Sequence, residues 1–144
     1  MRENNAPAAR FSINGPLPPL EFPDDYFDLI YGISVFTHLP EPMQTAWLAE
    51  LRRVLRRGSF LLTTTYGKQQ HLVLNASNRQ EFTQKGFFYV SEKVSTTDGL
   101  PDFYQTAFHS HDYIRRVWGE YFEVAGIEPL AVDGHSDLIV LRKR

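Results

Sequence analysis

The chain has no cysteine. That excludes disulfides, thiolate metal sites and cysteine nucleophiles, and it fits a cytoplasmic location. It has no apolar run near the roughly 18 residues a membrane helix needs, and its start, MRENNAPAAR, has no apolar segment of a secretory leader. Neither sign of charge is in large excess: 15 basic and 17 acidic residues are interspersed, giving a net charge of −2. Bulk electrostatics therefore favours neither nucleic acid nor an anionic membrane surface as a partner. No two of the nine glycines stand two apart, so there is no G-x-G turn of the kind that lets backbone approach a phosphate or nucleoside closely. The nucleophile elbow G-x-S-x-G and the phosphate loop G-x-x-x-x-G-K-[ST] are missing too.

What is present is a single unit of a parallel α/β sheet. The 144 residues, 42% hydrophobic and 14% aromatic, suffice for one domain with a real core, taken as residues 1–144. The proline-rich GPLPPLEFP (Gly15 to Pro23) is a connector, preceded by a short candidate strand, Ala9 to Asn14. Phe27 to Phe36 is continuously apolar and partly β-branched, which suits a strand covered on both faces. Met43, Trp47, Leu51, Val54 and Leu55 recur at helical spacing, predicting a helix over Pro42–Arg57 with Gly58 as its stop and Arg52, Arg53, Arg56 and Arg57 near its negative end. Phe60–Thr65 is the next strand, parallel to the first. Further on, Ser77 and Gln80 read as a capping box for a helix that Gly86 ends, and GFFYV as a strand or lid. Ser110 caps another helix, and YFEVAGIEPLAV and SDLIVLRK flank the turn DGHS as an antiparallel hairpin.

Several motifs, in order, resemble the class I S-adenosylmethionine-dependent methyltransferases. Phe27-Asp28-Leu29-Ile30, His38-Leu39 and Glu50-Leu51-Arg52-Arg53-Val54-Leu55 match that family's fourth strand, the segment after it and the end of its fourth helix. FSING is similar to the end of its third strand, and YFEV…DLIVLRK to its closing hairpin. The resemblance implies a partial Rossmann-like methyltransferase sheet holding strands three to seven of the order 3-2-1-4-5-7-6. The glycine-rich first strand turn and the ribose-binding acid of the second strand have no counterpart, and the family's Pro-Gly-Gly is Arg57-Gly58-Ser59.

S-adenosylmethionine is the cofactor the resemblance implies. Asn14 and Gly15 fall where adenine contacts follow strand three, and Ser34 and Val35 end strand four near the methionine portion. Ligands in such sheets sit beyond the carboxyl ends of the strands. His38 is the candidate base there for an acceptor hydroxyl or amine, since its pKa is naturally near neutral. Tyr66 and His109 are candidate contacts to a small-molecule acceptor. His109 and His111 at a helix start diverge, so no shared metal ion is expected. Losing its neighbours, the Phe27–Phe36 strand should be covered by Ala9–Asn14, or pair with a second copy or a full-length relative. A non-catalytic interaction protein is the competing reading.

Overall fold

The structure is a computed structural model, and it describes residues 9–67, 74–91 and 99–144. The main sheet has four strands: β1 (Phe27–Gly32), β2 (Leu55–Thr65), β5 (Glu123–Val132) and β6 (Ser136–Arg142), in the order β1-β2-β6-β5. β1 and β2 are parallel, and β6 is antiparallel to both β2 and β5. This is the 4-5-7-6 portion of the order that the resemblance implies. The helix α1 (Glu41–Val54) connects the parallel pair. A two-stranded antiparallel ribbon, β3 (Phe87–Tyr89) and β4 (Ala107–His109), is flanked by α2 (Ala76–Lys85) and α3 (His111–Val117). Tyr66 joins it to the sheet, because the His109 amide donates to the Tyr66 carbonyl at 2.8 Å.

The core lies on one sheet face, where Leu61, Ile139 and Leu141 meet Phe36, Leu48, Ile114, Trp118 and Phe122. Register puts Leu29 opposite Phe60, and Tyr31 opposite Leu62, which in turn faces Val140, so these residues share the other face. That face stays open: Leu29 is 51% exposed and Tyr31 is 73% exposed. Continuous apolarity therefore did not mean burial on both sides. β1 is an edge strand, and it stops at Gly32, beyond which Phe36–His38 forms a 3₁₀ turn. Ala9–Asn14 forms no strand and covers nothing; Phe11 and Ile13 stand almost fully in solvent.

Helix α1 ends at Val54, three residues short of the predicted end at Arg57. Its last carbonyls are satisfied from elsewhere in the fold: the amides of Asp25 and Tyr26 donate to Arg53 and Val54 at 3.0 and 2.8 Å. The buried Lys143 ammonium donates to the Leu55 carbonyl and to Asp25, each at 2.7 Å. With those partners no glycine stop is needed, and the chain passes straight into β2. Gly58 instead adopts φ +79° inside the bulge that offsets β2 from β1 between Phe27 and Leu29. The stripe on α1 is also rotated from the predicted one: Gln44, Leu48 and Val54 are its fully buried members.

The arginines tie the connector down rather than merely facing water. The Arg53 guanidinium spans Glu50 (2.6 and 2.9 Å), Asp24 (2.7 Å) and the carbonyls of Leu20 and Phe22, and Arg56 reaches Asp28 at 2.6 Å. These bonds hold the Glu50 carboxyl below and the Arg53 guanidinium above their ordinary pKa ranges. Asn75, not Ser77, caps α2, accepting from the Asn78 amide at 2.9 Å. Gly86 ends α2 at φ +76°, and the Ser110 hydroxyl caps α3.

Candidate functional site

The carboxyl ends of β1 and β2 are shaped by hydroxyls of β2. Thr63 Oγ1 donates to the Gly32 carbonyl, and the Ser34 amide donates to Thr64 Oγ1, both at 2.8 Å. Ser34 has φ +56°, a conformation costing a side-chain-bearing residue roughly 1–2 kcal/mol, and the bond to Thr64 holds it there. The kink turns Ser34 and Val35 out to solvent, while Phe36 and Thr37 turn inward.

The half-buried His38 ends that turn. Its Nδ1 lies 3.0 Å from the Gln105 carbonyl, and its ring stacks on Tyr104 with centroids 4.1 Å apart. A carbonyl only accepts, so Nδ1 carries the proton and Nε2 holds the basic lone pair. Burial lowers the pKa, against a smaller opposing effect of the bond to Gln105, so the imidazole is neutral near pH 7. The group is thus in the protonation state and tautomer a general base requires.

Gln44, from the first turn of α1, lies beneath. Its Nε2 donates to the carbonyls of Phe36 (3.1 Å) and Leu39 (2.8 Å), and its Oε1 is 2.9 Å from His109 Nε2. His109 is completely buried among Phe87, Tyr113 and Trp118, and burial pushes its pKa down to about 3. It lies in the core, with no surface open to the small acceptor it was expected to contact. His111, two residues on, points elsewhere, with Nε2 2.7 Å from Asp137 Oδ2.

Tyr66 is half-buried at the end of β2, its ring edge-on to His135 at 5.1 Å. Asn14 and Gly15 lie in exposed coil, where the Asn14 amide turns back to the Gly15 carbonyl at 2.8 Å. Their connector follows α1, where Trp47 Nε1 donates to the Pro16 carbonyl at 3.0 Å. The fold therefore collects Ser34, Val35 and His38 on one turn, sets Tyr66 at the neighbouring strand end, and leaves Asn14 and Gly15 outside that group. Sequence reading missed Gln44, Thr64 and Gln105. Of these only Gln44 left a signal, as an amide in the helix's apolar half.

Two grooves, of ≈ 630 and ≈ 530 Å³, flank α2, and the larger is lined by Lys85, Ser110, His111 and Arg116. Neither is lined by Ser34, Val35, His38 or Tyr66. Fit to S-adenosylmethionine is partial. Ser34 and Val35 are open at a strand end, as a methionine contact requires. Among the described residues no strand precedes Asn14 to aim it, and no G-x-G turn is present in the sequence. These residues do not make a complete cradle for the cofactor.

Residues 2–63 match the family described as a methyltransferase domain. No curated protein sequence matches the chain. Among solved structures, an S-adenosylmethionine-dependent methyltransferase from Methanosarcina mazei is similar, with TM-score 0.66 and 20% identity over 94% of this chain and 68% of that one. An O-methyltransferase family protein from Burkholderia thailandensis gives 0.58 and 14%, covering 93% of this chain and 35% of its own. Geranyl diphosphate C-methyltransferase from Streptomyces coelicolor A3(2), in complex with Mg2+, geranyl diphosphate and S-adenosyl-L-homocysteine, gives 0.50 and 11%, covering 88% and 50%. The chain thus spans about two thirds of the first of these structures and half or less of the other two. Residues 2–63 thus match the methyltransferase-domain family model, and the described residues have the fold of the later strands of these methyltransferase structures.

Proposed function

We propose that this chain supplies the acceptor side of an S-adenosylmethionine-dependent methyltransferase site, with His38 as the base that takes the proton of a small acceptor's hydroxyl or amine. The Nδ1–H bond from His38 to the Gln105 carbonyl carries this reading, because it fixes the lone pair on Nε2. Ser34 and Val35 flank the methionine portion, and Tyr66 borders the acceptor. Asn14 and Gly15 are the adenine contacts only if a neighbouring strand orders them. No transfer step is assigned to the residues as they stand. Alone, the chain binds the cofactor weakly or not at all.

Calorimetry with S-adenosylmethionine, paired with transfer of its labelled methyl group to hydroxyl and amine acceptors, tests this. Expected is no saturable micromolar binding by the chain alone, and His38-dependent transfer once a glycine-rich half is supplied, upstream in the same polypeptide or by a full-length relative. Tight binding by the chain alone refutes the incompleteness. Transfer that is indifferent to His38→Gln refutes the base.

The exposed Leu29 and Tyr31 on an edge strand favour a second reading, in which β1 pairs with another copy or a relative without catalysis. A stable dimer in light scattering, dispersed by Tyr31→Lys and accompanied by no transfer in any mixture, would support it.

A further inference from the structure

We propose that Gln44 and His109 are positioning residues for His38, holding the turn that presents its imidazole. The inference rests on reading His38 as the base. Gln44 Nε2 bonds two carbonyls, those of Phe36 and Leu39, which bracket His38 in the chain. Both amide hydrogens are used, so the orientation of the carboxamide is fixed and Oε1 must accept. His109 Nε2 faces it at 2.9 Å and must therefore donate, leaving Nδ1 of His109 without a proton. That Nδ1 is buried with no hydrogen-bond partner. A buried imidazole with one bond left unmade is costly, and an amide buried on a helix's apolar stripe is costly too. The pair answers both by bonding each other and clamping the turn.

The anchor is rigid at its inner end, where the rings of Phe87, Tyr113 and Trp118 lie 5.2, 6.0 and 5.4 Å from that of His109. At the outer end the His38 amide donates to the Val35 carbonyl at 3.0 Å, closing the turn that Gln44 braces from below. Gln105 and Tyr104 then fix the ring. Donation runs one way, from His109 through Gln44 to the two carbonyls. The two histidines accordingly hold opposite tautomers: Nδ1–H at His38 and Nε2–H at His109.

Long-range proton–nitrogen spectra of the 15N-labelled chain test this without any activity assay. Expected in the wild-type chain are the two opposite tautomers. Gln44→Met and His109→Phe are expected to raise the His38 titration midpoint toward the ordinary imidazole value and to mix its tautomers, as the turn opens to water. His109→Gln, which keeps a donor, should retain the wild-type behaviour of His38. A change in stability alone would leave the His38 titration of the folded protein unmoved. The proposal is overturned if folded Gln44→Met or His109→Phe titrates like wild type, or if either wild-type histidine shows the other tautomer. Should both variants fail to fold, the wild-type tautomers decide. Methyl transfer indifferent to His38→Gln would remove the base but leave these spectra as they are, so the two readings fail separately.

Discussion

Acid should unfold this protein largely through His109. In the unfolded chain its imidazole has the ordinary pKa of 6.5, whereas in the core burial holds it at about 3. Because the folded value is depressed, the stabilisation is complete above pH 6.5 and is lost as pH falls toward 3. At pH 5 the unfolded imidazole is protonated about thirty times more often than not, and the folded one about once in a hundred. The difference amounts to about 2 kcal/mol at pH 5, about 3 kcal/mol at pH 4 and about 5 kcal/mol once both forms are protonated. This is a large share of a typical folding free energy of 5–15 kcal/mol. His109→Phe removes the proton site and keeps the ring. At pH 7.5 the variant should be less stable by roughly 1–3 kcal/mol, because Gln44 Oε1 loses its donor. The gap should close as pH falls, vanish between about pH 6 and pH 4, and reverse below that. Urea midpoints at pH 7.5, 5 and 4, followed by tryptophan fluorescence and far-ultraviolet circular dichroism, read this directly. Glu50 and Asp25 also destabilise the fold as pH falls, but they are common to both proteins and cancel in the difference. His38, depressed in the wild type and relaxed toward its ordinary value in the variant, closes the gap in the same direction as His109. Parallel stability curves for wild type and variant would refute the argument.

Three further outcomes are expected. Arg53→Lys should lower the urea midpoint nearly as much as Arg53→Ala, since an ammonium cannot hold both Glu50 oxygens, Asp24 and two carbonyls together; full rescue by lysine would contradict this. Gly67→Ala should destabilise by roughly 1–3 kcal/mol in thermal unfolding, because its Cβ would collide with the Asp137 carboxylate, which is already bonded to His111 and the Leu130 amide; an unchanged melting temperature would show that this carboxylate moves freely. Tyr31→Lys should leave the urea midpoint within about 0.5 kcal/mol of wild type, because the side chain is largely in water, and should reduce any concentration-dependent association seen by sedimentation.

The parallel pair and the closing hairpin could be read from the sequence because each rests on local pattern: two apolar runs separated by an amphipathic helix, then two more around Asp133 and Gly134. Element ends were harder to read. The stop of α1 depends on Asp25, Tyr26 and Lys143, which are distant in sequence, so Gly58 looked like the terminator although it sits in a bulge. The apolar run from Phe27 looked doubly covered, because sequence reports hydrophobicity and not which neighbour is present. At the site, Ser34, Val35 and His38 fell together because they follow one strand. His109 was misplaced because its setting, Ser110 and Asp112 beside a second histidine, is polar in sequence, yet the ribbon carries it into the core. Gln105 acts through its backbone carbonyl, which no side-chain pattern reveals.

Strand β6 lies between β2 and β5, although it is the last of the four in sequence. Until residues 136–142 emerge from the ribosome, both of those strands present an open ladder to whatever is nearby. The sheet cannot grow past the β1–β2 pair in step with synthesis, and any polypeptide cut before Ser136 leaves that pair with an open edge at β2 and leaves β5 without its partner.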